Sequence, residues 1–196
     1  MTTMCIRRPS PATRHVVPKI QKDLVCAIRC DTRVLITGES GVGTRALAKL
    51  IHRNSQRAAG RFLAIDCAAI PDARLEPKLF GRARDSIRGM DRDTRGFLEL
   101  AHGGTIFMAN IGAIGLALQA RLLQFLEHGE IRRVGADLAH TKVDVRLISS
   151  ADCHLFEQTE MTTFRADLYY RLNVIHLVMP PMGRRRRDAP SLAHCR

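Results

Sequence analysis

The 196-residue chain is 45% hydrophobic, enough for one well-buried core and short for two ordinary domains. Its formal charge of +12 sets 31 basic against 19 acidic residues, and 26 of the basic residues are arginine. That balance either favours phosphate-bearing partners such as nucleotides or nucleic acid, or reflects an arginine-rich solvated surface. No apolar stretch approaches the ~20 residues needed to span a bilayer, so no membrane is expected and a cytoplasmic protein is.

Met1 to Lys22 is basic and free of acid, and its apolar residues are scattered. It reads as an N-terminal arm over 1–22, disordered or partly helical, and not as a secretory signal. Short apolar runs then alternate with helical patterns, which predicts βαβ units and a parallel sheet over a core at 23–183. The predicted strands are Val34–Thr37, Phe62–Asp66, Thr105–Ala109, Val143–Ser149 and Val174–Val178. After the first, Ala46, Leu47, Leu50 and Ile51 form a stripe that would pack one helix face onto the sheet. After the third, Leu116, Gln119, Leu122, Leu123 and Leu126 make a longer stripe, with Gly129 where a helix C-cap would fall. Between Phe80 and Gly96 lies a long charged loop, of a kind that is usually functional or disordered. Pro180 and Pro181 end the last strand, and a basic tail at 184–196 opens with four arginines, Arg184–Arg187, either a solvated face or a nucleic-acid contact.

Six cysteines stand at positions 5, 26, 30, 67, 153 and 195, without C-x-x-C pairing or a histidine pair at zinc spacing. Cys26 and Cys30 could share one helix face, but two thiols do not close a tetrahedral site. Reduced, mostly buried cysteines are expected, and no metal site.

The most informative segment is Arg33-Val-Leu-Ile-Thr-Gly-Glu-Ser-Gly-Val-Gly-Thr-Arg45, which reads strand, glycine-rich turn, helix. A phosphate-binding loop follows G-x-x-x-x-G-K-[ST]: backbone N–H groups cradle phosphates and the lysine reaches the outer ones. Gly38 and Gly43 are correctly spaced, whereas Thr44 takes the lysine position and Arg45 the hydroxyl position. Gly38, Glu39, Ser40, Gly41, Val42, Gly43, Thr44 and Arg45 are therefore the candidate nucleotide-binding residues.

The order of motifs resembles the catalytic domain of sigma-54-dependent transcriptional activators, the bacterial enhancer-binding branch of the AAA+ ATPases. The resemblance rests on Val34-Leu-Ile-Thr-Gly-Glu-Ser-Gly41, Asp66-Cys-Ala-Ala-Ile70, Leu79-Phe-Gly81, Gly103-Gly-Thr-Ile-Phe107, Leu118-Gln-Ala-Arg-Leu-Leu123, Gly129-Glu-Ile-Arg-Arg-Val-Gly135, Val143-Asp-Val-Arg146 and Phe164-Arg-Ala-Asp-Leu-Tyr-Tyr-Arg-Leu-Asn-Val174. It implies an α/β P-loop AAA+ core with a five-stranded parallel sheet flanked by helices. It further implies a ring of subunits, usually a hexamer, that hydrolyses ATP to remodel sigma-54 RNA polymerase at the promoter.

Several positions depart from that family. Its Walker B strand reads Gly-Gly-Thr-Leu-Phe-Leu-Asp-Glu, and this chain reads Gly103-Gly-Thr-Ile-Phe-Met-Ala109-Asn110. The acid that helps hold magnesium has become Ala109, and the acid that polarises the attacking water has become Asn110. The sensor Asn aligns with Asp152, and the Asn that switches the Walker B acid aligns with Asp66. The sigma-contacting loop aligns with Asp85, Ser86, Ile87, Arg88, Gly89 and Met90 and matches only at Gly89, so the resemblance does not carry sigma-54 RNA polymerase contact over. Arg165 and Arg171 stand where the family's arginine fingers reach into a neighbouring subunit, or are simply exposed helix arginines. In the family a helical lid and commonly a helix-turn-helix domain follow the position of Asp188; the eight residues left here hold neither, so the lid and a sequence-specific DNA-binding domain are expected to be missing.

Phosphoryl transfer is accelerated almost entirely by positioning and electrostatics. Losing a general base typically costs ~10²–10⁴ in rate, and losing a preorganised charge partner a further ~10²–10³. Weak binding of ATP or ADP through the backbone, little dependence on magnesium and no efficient hydrolysis are therefore expected. Arg45 lies about 100° around the helix from the lysine position, on a different face. Three readings stay open: a non-hydrolysing regulatory subunit in a ring of other AAA+ activator subunits, an ATP-dependent sigma-54 activator with compensated residues, and a decayed truncated copy.

Overall fold

The computed structural model describes residues 18–39, 41–84, 93–136 and 140–180. Ser40, the loop tip with Asp85–Met90, most of the N-terminal arm and the arginine run of the tail lie outside the described residues. Helix α1 spans Pro18–Arg29, starting inside the segment read as an arm. Strand β1 (Val34–Thr37), α2 (Thr44–Arg53), β2 (Phe62–Asp66), α3 (Asp72–Phe80), α4 (Phe97–Leu100) and β3 (Thr105–Ala109) follow. Then come α5 (Leu116–His128), a hairpin of β4 (Glu130–Arg132) and β5 (His140–Lys142), β6 (Arg146–Ala151), α6 (Leu155–Glu160), α7 (Ala166–Leu172) and β7 (Ile175–Val178). Five strands form one parallel sheet in the order β2-β3-β6-β1-β7.

The inner strands β1, β3 and β6 are buried on both faces, which is why β1 and β3 read as near-continuous apolar runs. Alternate residues point to opposite sides. Leu35, Ile106, Met108 and Leu147 pack with α3, α5 and α7, while Val34, Ile36, Phe107 and Ile148 pack with α1 and α2.

The helix stripes differ from expectation by a rotation. On α2 the buried residues are Leu47, Ala48, Ile51 and His52, and Ala46 is exposed. His52 completes the stripe because its Nδ1 meets the Thr105 hydroxyl at 2.9 Å, and burial pushes its pKa down. On α5 Leu116 is exposed and Leu118, Gln119, Leu122 and Phe125 are buried, with Leu123 and Leu126 packed at the margin. Gly129 caps that helix in the left-handed region, φ 68°, as its position implied. The predicted strand Val143–Ser149 moves to Arg146–Ala151: the Val143 N–H bonds Gly129 O beside the hairpin, and Ser150 and Ala151 pair with Ile36 and Thr37. Of the described cysteines only Cys67 is buried, against the expectation, while Cys26, Cys30 and Cys153 are exposed.

The long charged loop has an ordered stem. Arg82 and Thr94 exchange backbone hydrogen bonds at 3.0 and 2.9 Å, Ala83 N–H donates to Val134 O and Val134 N–H to Gly81 O. Gly81 and Gly96 cross so closely that a Cβ on Gly96 would lie 2.4 Å from the Gly81 nitrogen. Arg133 fastens the stem from the hairpin side, reaching Glu99 and Asp93 at 2.8 Å each.

Candidate functional site

The carboxyl ends of β1, β2, β3 and β6 open onto a cavity of about 400 Å³, the place where parallel α/β sheets bind ligands. Gly38, Glu39, Gly41, Thr44 and Arg45 line one side, Asp66, Ala109 and Asn110 the other, and Ser150, Ala151 and Asp152 the floor between them. The turn from β1 into α2 is made possible by Gly41 and Gly43 at φ 83° and 92°, a region that side chains avoid. Gly38 N–H bonds Ala151 O at 3.2 Å and ties the turn to β6. Among the described residues no side chain caps α2 at its N-terminus, which leaves its first N–H groups and the positive end of its dipole facing the cavity. Thr44 opens the helix, and Arg45, expected on a different face, lines the cavity beside it.

Opposite, Asp66 and Ala109 are register partners at the ends of β2 and β3. Asn110 follows β3 in the left-handed region, φ 54° and ψ 49°, which asparagine tolerates better than most residues. From there its Nδ2 donates to Asp66 Oδ1 at 2.8 Å, an oxygen that also accepts the Ala68 N–H at 3.1 Å. A carboxylate and an amide thus face each other at the cavity wall, with the carboxylate on β2. Burial, with the Asp66 and Asp72 charges adding to it, pushes the neighbouring Cys67 thiol up to about 12 and keeps it protonated. Asp152 turns its Oδ1 back to the His154 N–H at 3.0 Å. Among the described residues the ionisable lining is three carboxylates, Glu39, Asp66 and Asp152, against the guanidinium of Arg45.

Arg165 and Arg171 do not line this cavity. Arg165 precedes α7, with its backbone N–H on the buried Gln119 Oε1 at 2.8 Å and its guanidinium doubly bonded to Asp167 at 2.7 and 3.0 Å. That pairing raises the Arg165 pKa and lowers that of Asp167. Arg171 reaches Glu127 at 2.9 Å. Both guanidiniums stay exposed enough to exchange an intrachain carboxylate for another partner.

Asp66 and Asn110 each stand out in the sequence, but their pairing does not, because it needs β2 and β3 adjacent and in register. Ser150 is a buried hydroxyl on the cavity floor that carries no signal in the sequence, since nothing local distinguishes a serine at a strand end.

The family described as Sigma-54 interaction domain matches residues 9–178. The Nif-specific regulatory protein of Klebsiella pneumoniae is 44% identical over 185 residues, covering 94% of this chain and 34% of that protein. Regulatory protein AtoC of Escherichia coli K12 is 42% identical over 175 residues, covering 89% and 38%. Crystal structures of NtrX from Brucella abortus with ADP and with ATP superpose with TM-scores of 0.80 and 0.79 at 34% identity, covering 89% of this chain and 37% of NtrX. The P-loop NTPase domain of an E. coli sigma-54 activator shares the fold at 20% identity, TM-score 0.56, over 84% of this chain and 94% of that one. The chain thus spans about a third of the length of the curated relatives.

Proposed function

Because the chain belongs to the Sigma-54 interaction domain family, we propose that it is a transcription-regulatory AAA+ domain whose cavity takes ATP or ADP weakly and does not hydrolyse it. It acts as a regulatory subunit within a ring of intact, cytoplasmic activator subunits. The observation that carries this reading is the composition of the cavity: Gly38, Gly41 and Gly43 shape the turn into the helix start, while Thr44, Ala109 and Asn110 offer no charge to phosphate or metal. NtrX, of the same fold, has been crystallised with both nucleotides, which supports ATP or ADP as the ligand class. Magnesium has no carboxylate at Ala109, so binding depends little on it. Arg165 and Arg171 do not line this chain's own cavity and are exposed, which supports a role for them in a neighbour's site.

A second reading, an active ATP-dependent sigma-54 activator, draws on the Asp66–Asn110 pair, because a carboxylate still stands at the cavity wall. Steady-state phosphate release separates the two. The purified protein alone should give background turnover, and a rate near one per second would leave the active reading standing. Mixed with an intact activator, it should change that activator's rate, and Arg165→Ala with Arg171→Ala should alter the change. No effect and no co-elution with any activator tested would overturn the regulatory-subunit role.

A further inference from the structure

Apart from the nucleotide cavity, one cluster of reactive side chains is already arranged as a ligand set. Cys26 lies in the last turn of α1 and Cys30 just past its end, with the Cys30 N–H closing the turn on Cys26 O at 2.9 Å. Both thiols are exposed, and their sulfurs stand 3.7 Å apart. Spacing of i, i+4 on a helix is the one that places two metal-binding side chains on a single face. Two thiolates at about 2.3 Å from a tetrahedral zinc ion stand about 3.8 Å apart, so the pair needs almost no rearrangement to share one ion. We propose that Cys26 and Cys30 form a two-thiolate chelate for a soft divalent cation of the zinc and cadmium class, with the remaining coordination positions open to solvent.

On binding, two thiol protons pass to solvent and two sulfur–metal bonds form, with no change of oxidation state. The ion would staple the final turn of α1, and that turn is tied to the sheet by Arg146 on β6. Arg146, 3% exposed, donates from Nη2 to Ala27 O, inside the stapled turn, and from Nε to Thr32 O at 3.0 Å. Asp31, between Cys30 and Thr32, pairs with Arg57 at 2.6 Å. The chelate therefore acts on the joint between α1 and the core, at the opposite end of the sheet from the nucleotide cavity.

Cadmium chloride titrated into the freshly reduced full chain should raise a thiolate-to-cadmium charge-transfer absorption that saturates at one ion per chain. Cys26→Ser and Cys30→Ser should each weaken it at least about tenfold, and Cys153→Ser should leave it unchanged. Zinc at about tenfold excess over its Kd should raise the unfolding midpoint by about 3 °C in the parent chain and not in the two serine variants. Where a variant fails to fold, labelling of the parent chain decides: zinc should slow iodoacetamide modification of Cys26 and Cys30 at least about tenfold and leave Cys153 unprotected. Equal absorption in all three variants, or no protection from labelling, overturns the site. Saturation at half an ion per chain with a dimer in sedimentation also overturns it as drawn, because a second copy's thiols would then occupy the open positions.

Discussion

At the amino ends of the strands, charge is committed to structure. Arg57 bridges Asp31 and Asp144 at 2.6 and 2.7 Å, and the buried Arg146 guanidinium holds the carbonyls of Ala27 and Thr32. At the carboxyl ends, Glu39 and Arg45 have no side-chain partner among the described residues, and Asp66 is held only by the exposed amide of Asn110 and a backbone N–H. The lesson is one of separability. Residues at the strand tips face solvent and contribute little to folding, so a charge there can be replaced while the sheet, its register and both cores survive. At the other end Arg146 cannot change without leaving the buried Ala27 carbonyl unpaired, while the Arg57 pairs lie nearer the surface and cost less to break.

The contrast breaks first, and hardest, at Arg146. Arg146→Ala should destabilise by roughly 2–4 kcal/mol in urea unfolding, since it orphans the buried Ala27 carbonyl and the half-buried Thr32 carbonyl and leaves a void. Arg146→Met should recover part of that loss, because it fills the volume and discards the Nη1, which has no hydrogen-bond partner. A variant as stable as the parent would mean that the amino end is no more committed than the cavity.

A smaller effect is expected from Asp31, whose carboxyl is held below its usual 3.8 by the hydrogen bond from Arg57. With the folded pKa below the unfolded one, the pair contributes its stability above about pH 4 and loses it as pH falls through the folded value. Asp31→Asn should lower the unfolding free energy from urea titration at neutral pH by about 1 kcal/mol or less and flatten the acid side of the stability profile. An unchanged profile would remove the pair from the set of structural charges.

The smallest effect belongs to the cavity wall. Exchanging the pair, Asp66→Asn with Asn110→Asp, should leave stability within about 0.5 kcal/mol, because both side chains are exposed and the hydrogen bond can re-form in reverse. The same exchange, with Ala109→Asp and Thr44→Lys added, should make ATP binding tighter and magnesium-dependent in calorimetry. A large loss of stability from the exchange alone would show that the Asp66–Asn110 contact is structural.

Much of the scaffold was readable from local pattern. β1, β2 and β3 follow unbroken apolar runs with the expected bounds, and the glycines at 38, 41 and 43 announced the turn that shapes the cavity. The β4–β5 hairpin was not, because Glu130–Arg132 and His140–Lys142 are short and largely polar and owe their pairing to each other. Arg57 carried no local signal either, since its partners Asp31 and Asp144 are 26 and 87 residues away.

The sequence by itself determined that a parallel α/β sheet would carry a glycine-rich turn at a helix start, with Thr44 after Gly43 and with Ala109 and Asn110 at the end of the third strand. Those are facts of residue identity and of short-range geometry, which adjacent residues settle among themselves. Only the tertiary structure decided that Asp66 and Asn110 would meet, that Arg45 would line the cavity while Arg165 and Arg171 would not, and that Cys26 and Cys30 would remain exposed with their sulfurs in contact. Each of those depends on which strands become neighbours and which face of a helix the core claims. That outcome is set by the packing of the whole chain, to which any single segment contributes only a part.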